Sequence, residues 1–559
     1  MENPNTAITS VSSEIGAIDV SIIILYILGI VALGCWAGIR NKKAHAATKA
    51  NDYFLAGSSL KWPVIGLALF ATNISTVHLV SLAQSGFDFG LAYGNFEWMA
   101  VFTLLILALF FAPFFVRAKV ATLPDFLEKR YSRPSRDMLT VLSIVSAIFI
   151  HIGFALFTGA VVLKGMFGFP LEASIIGVAL LTGLYTVVGG LMAVVITESI
   201  QTIILLLGAI ILTAISWFKV GGWDGMAMSV DPVHLTMLRP TGDSSGLPWY
   251  SVLLGFPVLG IWYWCTDQTI VQRVLAAKDE NQARLGAIFA GFIKILPVFI
   301  FILPGLMCSA MLEQGILDVS QFPMKMVDGE MVKDTSGTYA FMVRELLPVG
   351  VKGIVAAALL SALMSTVSGA LNSISTLFSY DLLKRVRPDT SDKTLVLAGR
   401  IVAVLAMFVA ILWSTNIDRF GNLMEGFNSV IGNVAPPITT VFLFGVFWKR
   451  ASAFAAQWTL YIGTAMGGTV FACDMVGYKI FGNTPFLMVP FYLFVICSVV
   501  MTVLSYWKPH VHTEESSVLF WKTPLEPLML SGGGSGLKDY RVLSIILFVT
   551  MVGLFYTFR

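Results

Sequence analysis

The chain has 559 residues, 57% of them hydrophobic and only 12% charged, with a mean hydropathy of +0.81. Soluble domains carry about 25% charged residues, so the composition describes a polytopic membrane protein and excludes a soluble globular domain. The formal net charge of +3 is dispersed among loops, which gives no footprint for nucleic acid.

The first sixteen residues are polar and lead into a full-length apolar segment near 17–39, so no cleavable signal peptide is expected. Further apolar segments fall near 62–83, 94–116, 138–165, 170–188, 191–217, 249–271 and 286–311. Six more lie near 351–383, 396–414, 420–447, 452–474, 486–507 and 542–558. Each is long enough to cross a bilayer as a helix, which predicts an all-α protein with about fourteen transmembrane helices. The segments at 170–188 and 191–217 abut at Gly189-Gly190, where the boundary is most open to redrawing.

Basic residues set the orientation. Loops 40–61, 117–137, 272–284, 384–400, 449–450 and 508–541 hold 25 of the 36 Lys and Arg, and with fourteen spans all six face one side. The positive-inside rule then places both termini outside. The largest cytoplasmic piece, 508–541, contains SGGGSG (531–536), a flexible linker by composition. The sequon Asn73-Ile-Ser sits at membrane depth, and unglycosylated outer loops fit a bacterial inner (plasma) membrane.

The segment 62–83 has a centre poorly suited to lipid. Thr72, Asn73, Ser75, Thr76 and His78 crowd into seven positions, and such side chains compete with the helix for its backbone hydrogen bonds. Non-helical backbone at this depth is tolerated where it is buried in protein or lines a wet cavity. Either the polar residues glue helices together or the helix breaks around a solute site. A second interrupted span, 249–271, carries Gly255, Pro257 and Gly260 before WYWCTDQ, and Pro257 predicts a kink. Two such spans five apart point to inverted five-helix repeats, 62–217 and 249–447. Residues 1–61 then form a leading helix and loop, and 452–559 three trailing helices.

In 351–383, Ala362, Ser365 and Thr366 fall at i, i+3 and i+4 and share one helical face. Carbonyls and hydroxyls without a carboxylate form a neutral oxygen cage suited to a hard monovalent cation, although a Ser/Thr-rich face also serves as packing glue. Ionisable groups at membrane depth are His78, Glu97, His151, Glu198, Asp267, Lys294 and Glu425, each a functional candidate. Glu97 is expected near the outer end of its helix, and His151 is read as a neutral packed histidine. Lys294 either snorkels toward the cytoplasm or has a partner in the bundle. The cysteines Cys35, Cys265, Cys308, Cys473 and Cys497 lie in or beside apolar segments without CxxC spacing and read as small hydrophobes. No Walker A, HExxH or CxxC run suggests an enzyme.

The runs NDYFLAG (51–57), ATNIS (71–75), GNFEW (94–98), GGLMAVVITESIQ (189–201), WYWCTDQTIVQR (262–273), SALMSTVSGALNS (361–373) and APPITTVFLFGVFWKR (435–450) resemble the sodium:solute symporters, most closely their sodium/glucose cotransporter branch. The resemblance implies a LeuT-type fold of inverted five-helix repeats and sodium-coupled symport of a neutral sugar or polyol by alternating access. A symporter of another solute class, such as an organic anion or amino acid, is the alternative, and a solute sensor or leak channel a more distant one. The resemblance implies a sodium site from the carbonyls of Ala71, Ile74 and Ala362 and the hydroxyls of Ser365 and Thr366. It implies a substrate site of His78, Glu97, Tyr263, Lys294 and Asn428, in which imidazole and carboxylate take hydrogen bonds from sugar hydroxyls. Leu82, Phe96 and Met424 match the positions that close over the substrate, and Trp264 lies beside Tyr263 at the inner gate. Asn428 stands where sugar transporters usually carry Gln. Glu198 stands where members with a second sodium ion carry Asp, and the longer side chain favours one sodium ion per substrate.

Overall fold

The structure is a computed structural model describing residues 16–44, 50–327, 330–417, 423–509, 512–523, 525–529 and 536–559. The side chains of 41–44, 327, 423–429 and 515 lie outside the described set, as do residues 531–535 of the SGGGSG run. The long helices are α1 (Ala17–Ala44), α2 (Trp62–Asn73), α3 (Thr76–Phe89), α4 (95–117), α5 (Arg133–Phe167) and α6 (Leu171–Val220). There follow α7 (Trp249–Ile261), α8 (Gln268–Leu275), α9 (Glu280–Glu313), α10 (Val351–Val386) and α11 (Asp392–Ser414). Last come α12 (Leu423–Phe447), α13 (Ala453–Met475), α14 (Met488–Trp507) and α15 (Tyr540–Thr557). Among the described residues, ten helical stretches are long and apolar enough to cross a membrane.

Burial sorts these helices by role. α10 is rich in Ala, Ser, Gly and Thr and is buried almost throughout, since small side chains let neighbours approach on every side. α1, α11, α14 and α15 instead expose rows of large apolar residues such as Leu25, Leu412, Val503 and Ile545, as a surface bathed in lipid tails allows. Where α3 crosses α9, a Cβ on Gly86 would lie 2.1 Å from the Ile302 carbonyl oxygen, and one on Gly305 1.9 Å from that of Ala83. Only glycine fits this crossing.

The two segments that meet at Gly189-Gly190 are separate arms of α6, joined at Gly190 with φ 63° and ψ −160°. Two elements depart from the sequence reading. The backbone stays helical across Pro257 and leaves the helix at Asp267 (φ −84°, ψ 123°), after a widened π-turn at Trp262–Thr266. The loop between α9 and α10 also carries a small antiparallel hairpin, β1 (Met324–Val327) with β2 (Glu330–Lys333).

Candidate functional site

α2 ends at Asn73 and α3 begins at Thr76, with Ile74 (φ −77°, ψ 101°) and Ser75 (φ −98°, ψ 173°) extended between them. The last carbonyls of a helix lack intrahelical donors, and α10 supplies them here. Ser365 Oγ donates to the Ala71 carbonyl at 2.8 Å and Thr366 Oγ1 to that of Thr72 at 3.4 Å. Both hydroxyls also reach the Ala362 carbonyl at 3.1 Å. Ala71, Ala362, Ser365 and Thr366 therefore converge, with Ile74 buried at the break itself. Every donor atom is an uncharged oxygen, so the residues fit a hard monovalent cation.

One turn further, a central cavity of about 120 Å³ opens against the start of α3, lined by His78, Leu82, Phe96, Glu97, Tyr263 and Lys294 among others. Glu97 is not solvated at a helix end. It is 1% exposed in the first turn of α4, where the helix dipole favours a carboxylate, and it forms an ion pair with Lys294, Oε2 lying 2.5 Å from Nζ. Lys294 is likewise 1% exposed, so it does not snorkel. Its ammonium also donates to Asn73 Oδ1 and lies 5.7 Å from the Trp264 ring. Asn73 passes the link on, its Nδ2 donating to the Tyr263 hydroxyl at 3.2 Å.

The His78 tautomer follows from its neighbours. Its Nδ1 faces the Ser75 backbone N–H at 3.4 Å and the Ser75 hydroxyl at 3.0 Å. A backbone N–H can only donate, so Nδ1 is the acceptor and the proton sits on Nε2. His78 therefore offers the cavity a donor, whereas the sequence reading made it an acceptor. Phe96 stacks between Tyr93 and Phe486, with ring centroids at 5.8 and 6.2 Å. Trp264 packs edge-on to Tyr263 at 5.2 Å. The side chains of Met424, Glu425 and Asn428 lie outside the described residues. A second cavity of about 380 Å³, lined in part by Pro323, Asp334 and Arg344, shares Val77 and Ser81 with the first.

The model of the sodium:solute symporter family matches residues 53–463. The chain belongs to this family. It is similar to sodium/glucose cotransporter 4 of Danio rerio, at 34% identity over 473 residues covering 81% of this chain and 71% of that one. Sodium/glucose cotransporter 2 of Rattus norvegicus is 35% identical over 476 residues, covering 80% and 70%. Sodium/myo-inositol cotransporter 2 of Oryctolagus cuniculus is 32% identical over 545 residues, covering 91% and 80%. Among solved structures, a substrate-bound, outward-open Na⁺-coupled sialic acid symporter superposes with a TM-score of 0.77 at 22% identity, covering 89% of this chain and 100% of that one. MHP1, a nucleobase-cation-symport-1 family transporter, follows at 0.52 and 13%, covering 84% and 98%. These structural likenesses establish the LeuT-type fold.

Two buried pairings of ionisable side chains in this symporter have no local sequence signal. Glu198, fully buried on α6, is paired with Arg273 of α8, and Thr72 Oγ1 donates to it at 3.0 Å. His151 is not a lone packed histidine, because its Nε2 meets Asp267 Oδ2 at 3.1 Å. Asn73, Arg273 and Asp267 stand inside the runs ATNIS and WYWCTDQTIVQR that carry the family resemblance. Asn73 is part of the polar crowding at the break, whereas the roles of Arg273 and Asp267 emerge only from contacts.

Proposed function

We propose that the chain is a sodium-driven secondary active symporter of a neutral sugar or polyol, working by alternating access in a plasma membrane. One observation carries this reading. A single helix break gives its carbonyls (Ala71, Thr72) to the hydroxyls of Ser365 and Thr366 and its next side chains (Asn73, His78) to the central cavity. Ion and solute occupancy then act on the same few residues of backbone, which is the physical requirement for coupling. The names of the relatives support sodium as the coupling ion and a sugar or inositol as cargo.

In this reading Ala71, Ile74, Ala362, Ser365 and Thr366 hold sodium. His78 donates to a sugar hydroxyl, Glu97 and Lys294 form a neutral polar wall, and Asn428 supplies an amide from α12. Tyr263 closes the cytoplasmic side with Trp264, while Leu82, Phe96 and Met424 close the outer side. With Lys294 paired to Glu97, the cavity offers no unpaired cation to an organic anion among the described residues, which favours a neutral cargo. The carboxylate of Glu198 is engaged by Arg273 and Thr72, which supports one sodium ion per substrate.

Fourteen spans, with inverted repeats at 62–217 and 249–447 flanked by 1–61 and 452–559, accommodate the described helices. Termini on the outer face agree with two contacts. Asp19 near the start of α1 accepts the Gly350 and Gly353 N–H groups at 2.8 and 2.7 Å, and Met237 N–H of an outer loop donates to the Phe558 carbonyl at 2.7 Å. Unglycosylated outer loops suit a bacterial inner membrane.

One charge moving inward gains about 2.3 kcal/mol per 100 mV, and a tenfold sodium gradient adds about 1.4 kcal/mol. Together these concentrate a neutral solute several-hundred-fold. The test is uptake of labelled hexoses and inositols into proteoliposomes with sodium outside and an interior-negative potential. Accumulation that collapses without sodium or potential is expected. Uptake indifferent to both overturns the reading.

A further inference from the structure

Two widened π-turns face each other below the cavity. One is the eight-residue stretch Ala147–Phe154 in α5, and the other is Trp262–Thr266, which ends at the break. Single π-turns inside helices recur at functional positions. His151 sits in the first and Asp267 closes the second, and both side chains are 5% exposed.

The carboxylate of Asp267 works in two directions. Its Oδ1 accepts the Thr269 and Ile270 N–H groups at 2.7 and 3.3 Å and so caps α8, the cytoplasmic half of the broken span. Its Oδ2 meets His151 Nε2 at 3.1 Å. The π-turn that carries His151 is itself anchored to α11. Trp413 Nε1 donates to the Phe149 carbonyl at 3.1 Å and Ser414 Oγ to that of Gly153 at 3.2 Å. Tyr263, four residues before Asp267, has its ring 6.0 Å from that of His151 and its hydroxyl bonded to Asn73. The inner-gate tyrosine thus lies between the first helix break and the His151–Asp267 contact.

We propose that His151 and Asp267 are a positioning pair, a latch that ties the second helix break to the α5–α11 scaffold and holds Tyr263 closed on the cytoplasmic side. The inference rests on the symport reading for the gate it controls, but the contact itself is independent of the cargo. A cap alone needs only Oδ1. The second carboxylate oxygen, directed to a different helix, is what turns the cap into a latch. One charge-assisted hydrogen bond biases a two-state balance by roughly ten- to hundredfold, enough to decide which side of a transporter rests open.

The experiment uses the full chain in proteoliposomes with Cys35, Cys308, Cys473 and Cys497 replaced by Ser. That leaves Cys265, fully buried in the same π-turn as Tyr263, as the reporter. Its labelling rate by a charged, membrane-impermeant maleimide at the cytoplasmic face is compared for wild type, His151→Phe, Asp267→Asn and His151→Gln. Asp267→Asn keeps the Oδ1 cap and removes the charged partner of His151, while His151→Gln keeps a donor. Labelling at least tenfold faster in His151→Phe and Asp267→Asn, and near wild type in His151→Gln, is expected. A parallel tenfold or greater loss of apparent affinity for external sugar should accompany it, because fewer molecules wait open to the outside. Wild-type labelling rates in both latch variants overturn the proposal. Should His151→Phe fail to fold, Asp267→Asn decides alone. Labelling needs no cargo, so failure of the latch and failure of sugar uptake by the wild type are read separately.

Discussion

Ser365 Oγ donates to the Ala71 carbonyl at 2.8 Å, joining α10 to the end of α2 across 294 residues of sequence. A hydroxyl that satisfies a freed carbonyl in this way can also turn its lone pairs to a cation held between them. In the proposed sodium site, Ser365→Ala removes one ligand and leaves the cavity walls untouched. The sodium concentration for half-maximal uptake should rise about tenfold or more, with the rank order of substrates unchanged. Uptake measured against sodium concentration checks this, and an unaltered sodium dependence takes Ser365 out of the site.

Asn73 links the ion pair to the gate, accepting Lys294 and donating to Tyr263. Asn73→Ala leaves a buried ammonium short of one acceptor and Tyr263 without its donor, each loss costing about 1–3 kcal/mol. Apparent sugar affinity should fall at least tenfold while the protein remains folded. Equilibrium binding of a labelled sugar to purified protein, alongside a thermal melt, separates the two effects.

Breaking a buried ion pair from one side leaves an uncompensated charge, at a cost of about 3–5 kcal/mol. Glu97→Gln and Lys294→Met should each lower the melting temperature in detergent more than the double variant does. All three should lose uptake, since both groups face the cavity. Additive losses in the double variant would show that the two side chains do not act as a pair.

Asn428 is one methylene shorter than the Gln usual at this position in the family's sugar transporters. Asn428→Gln should shift preference among hexoses and inositols about two- to tenfold, as one hydrogen bond of about 0.5–1.5 kcal/mol allows. Competition by a panel of sugars against one labelled substrate gives the answer. An unchanged rank order with reduced expression assigns Asn428 to packing of α12.

Gly305 lies where α9 meets α3, and a methyl group there would fall 1.9 Å from the Ala83 carbonyl oxygen. Gly305→Ala should force the helices apart and lower the melting temperature by several degrees. Gly553→Ala, at a position with open space around it, is the control and should leave it unchanged.

The sequence by itself determined the membrane class, the helical segments, the polar crowding near Thr72–His78 and the shared face of Ala362, Ser365 and Thr366. Each of these is written in local spacing, whether twenty apolar residues, polar crowding or an i, i+3, i+4 pattern. Tertiary structure decided how the charges are settled. Lys294 meets Glu97, Glu198 meets Arg273 and His151 meets Asp267 across 197, 75 and 116 residues of chain. No periodicity carries information over such separations. A charge buried at membrane depth must find a partner, but which partner depends on how the helices pack. The same holds for His78, whose donor role is set by the Ser75 N–H that the broken backbone leaves free. It holds too for the second break, which Pro257 announces ten residues early. The backbone gives way at Asp267, where a carboxylate stands ready to cap the half-helix that follows.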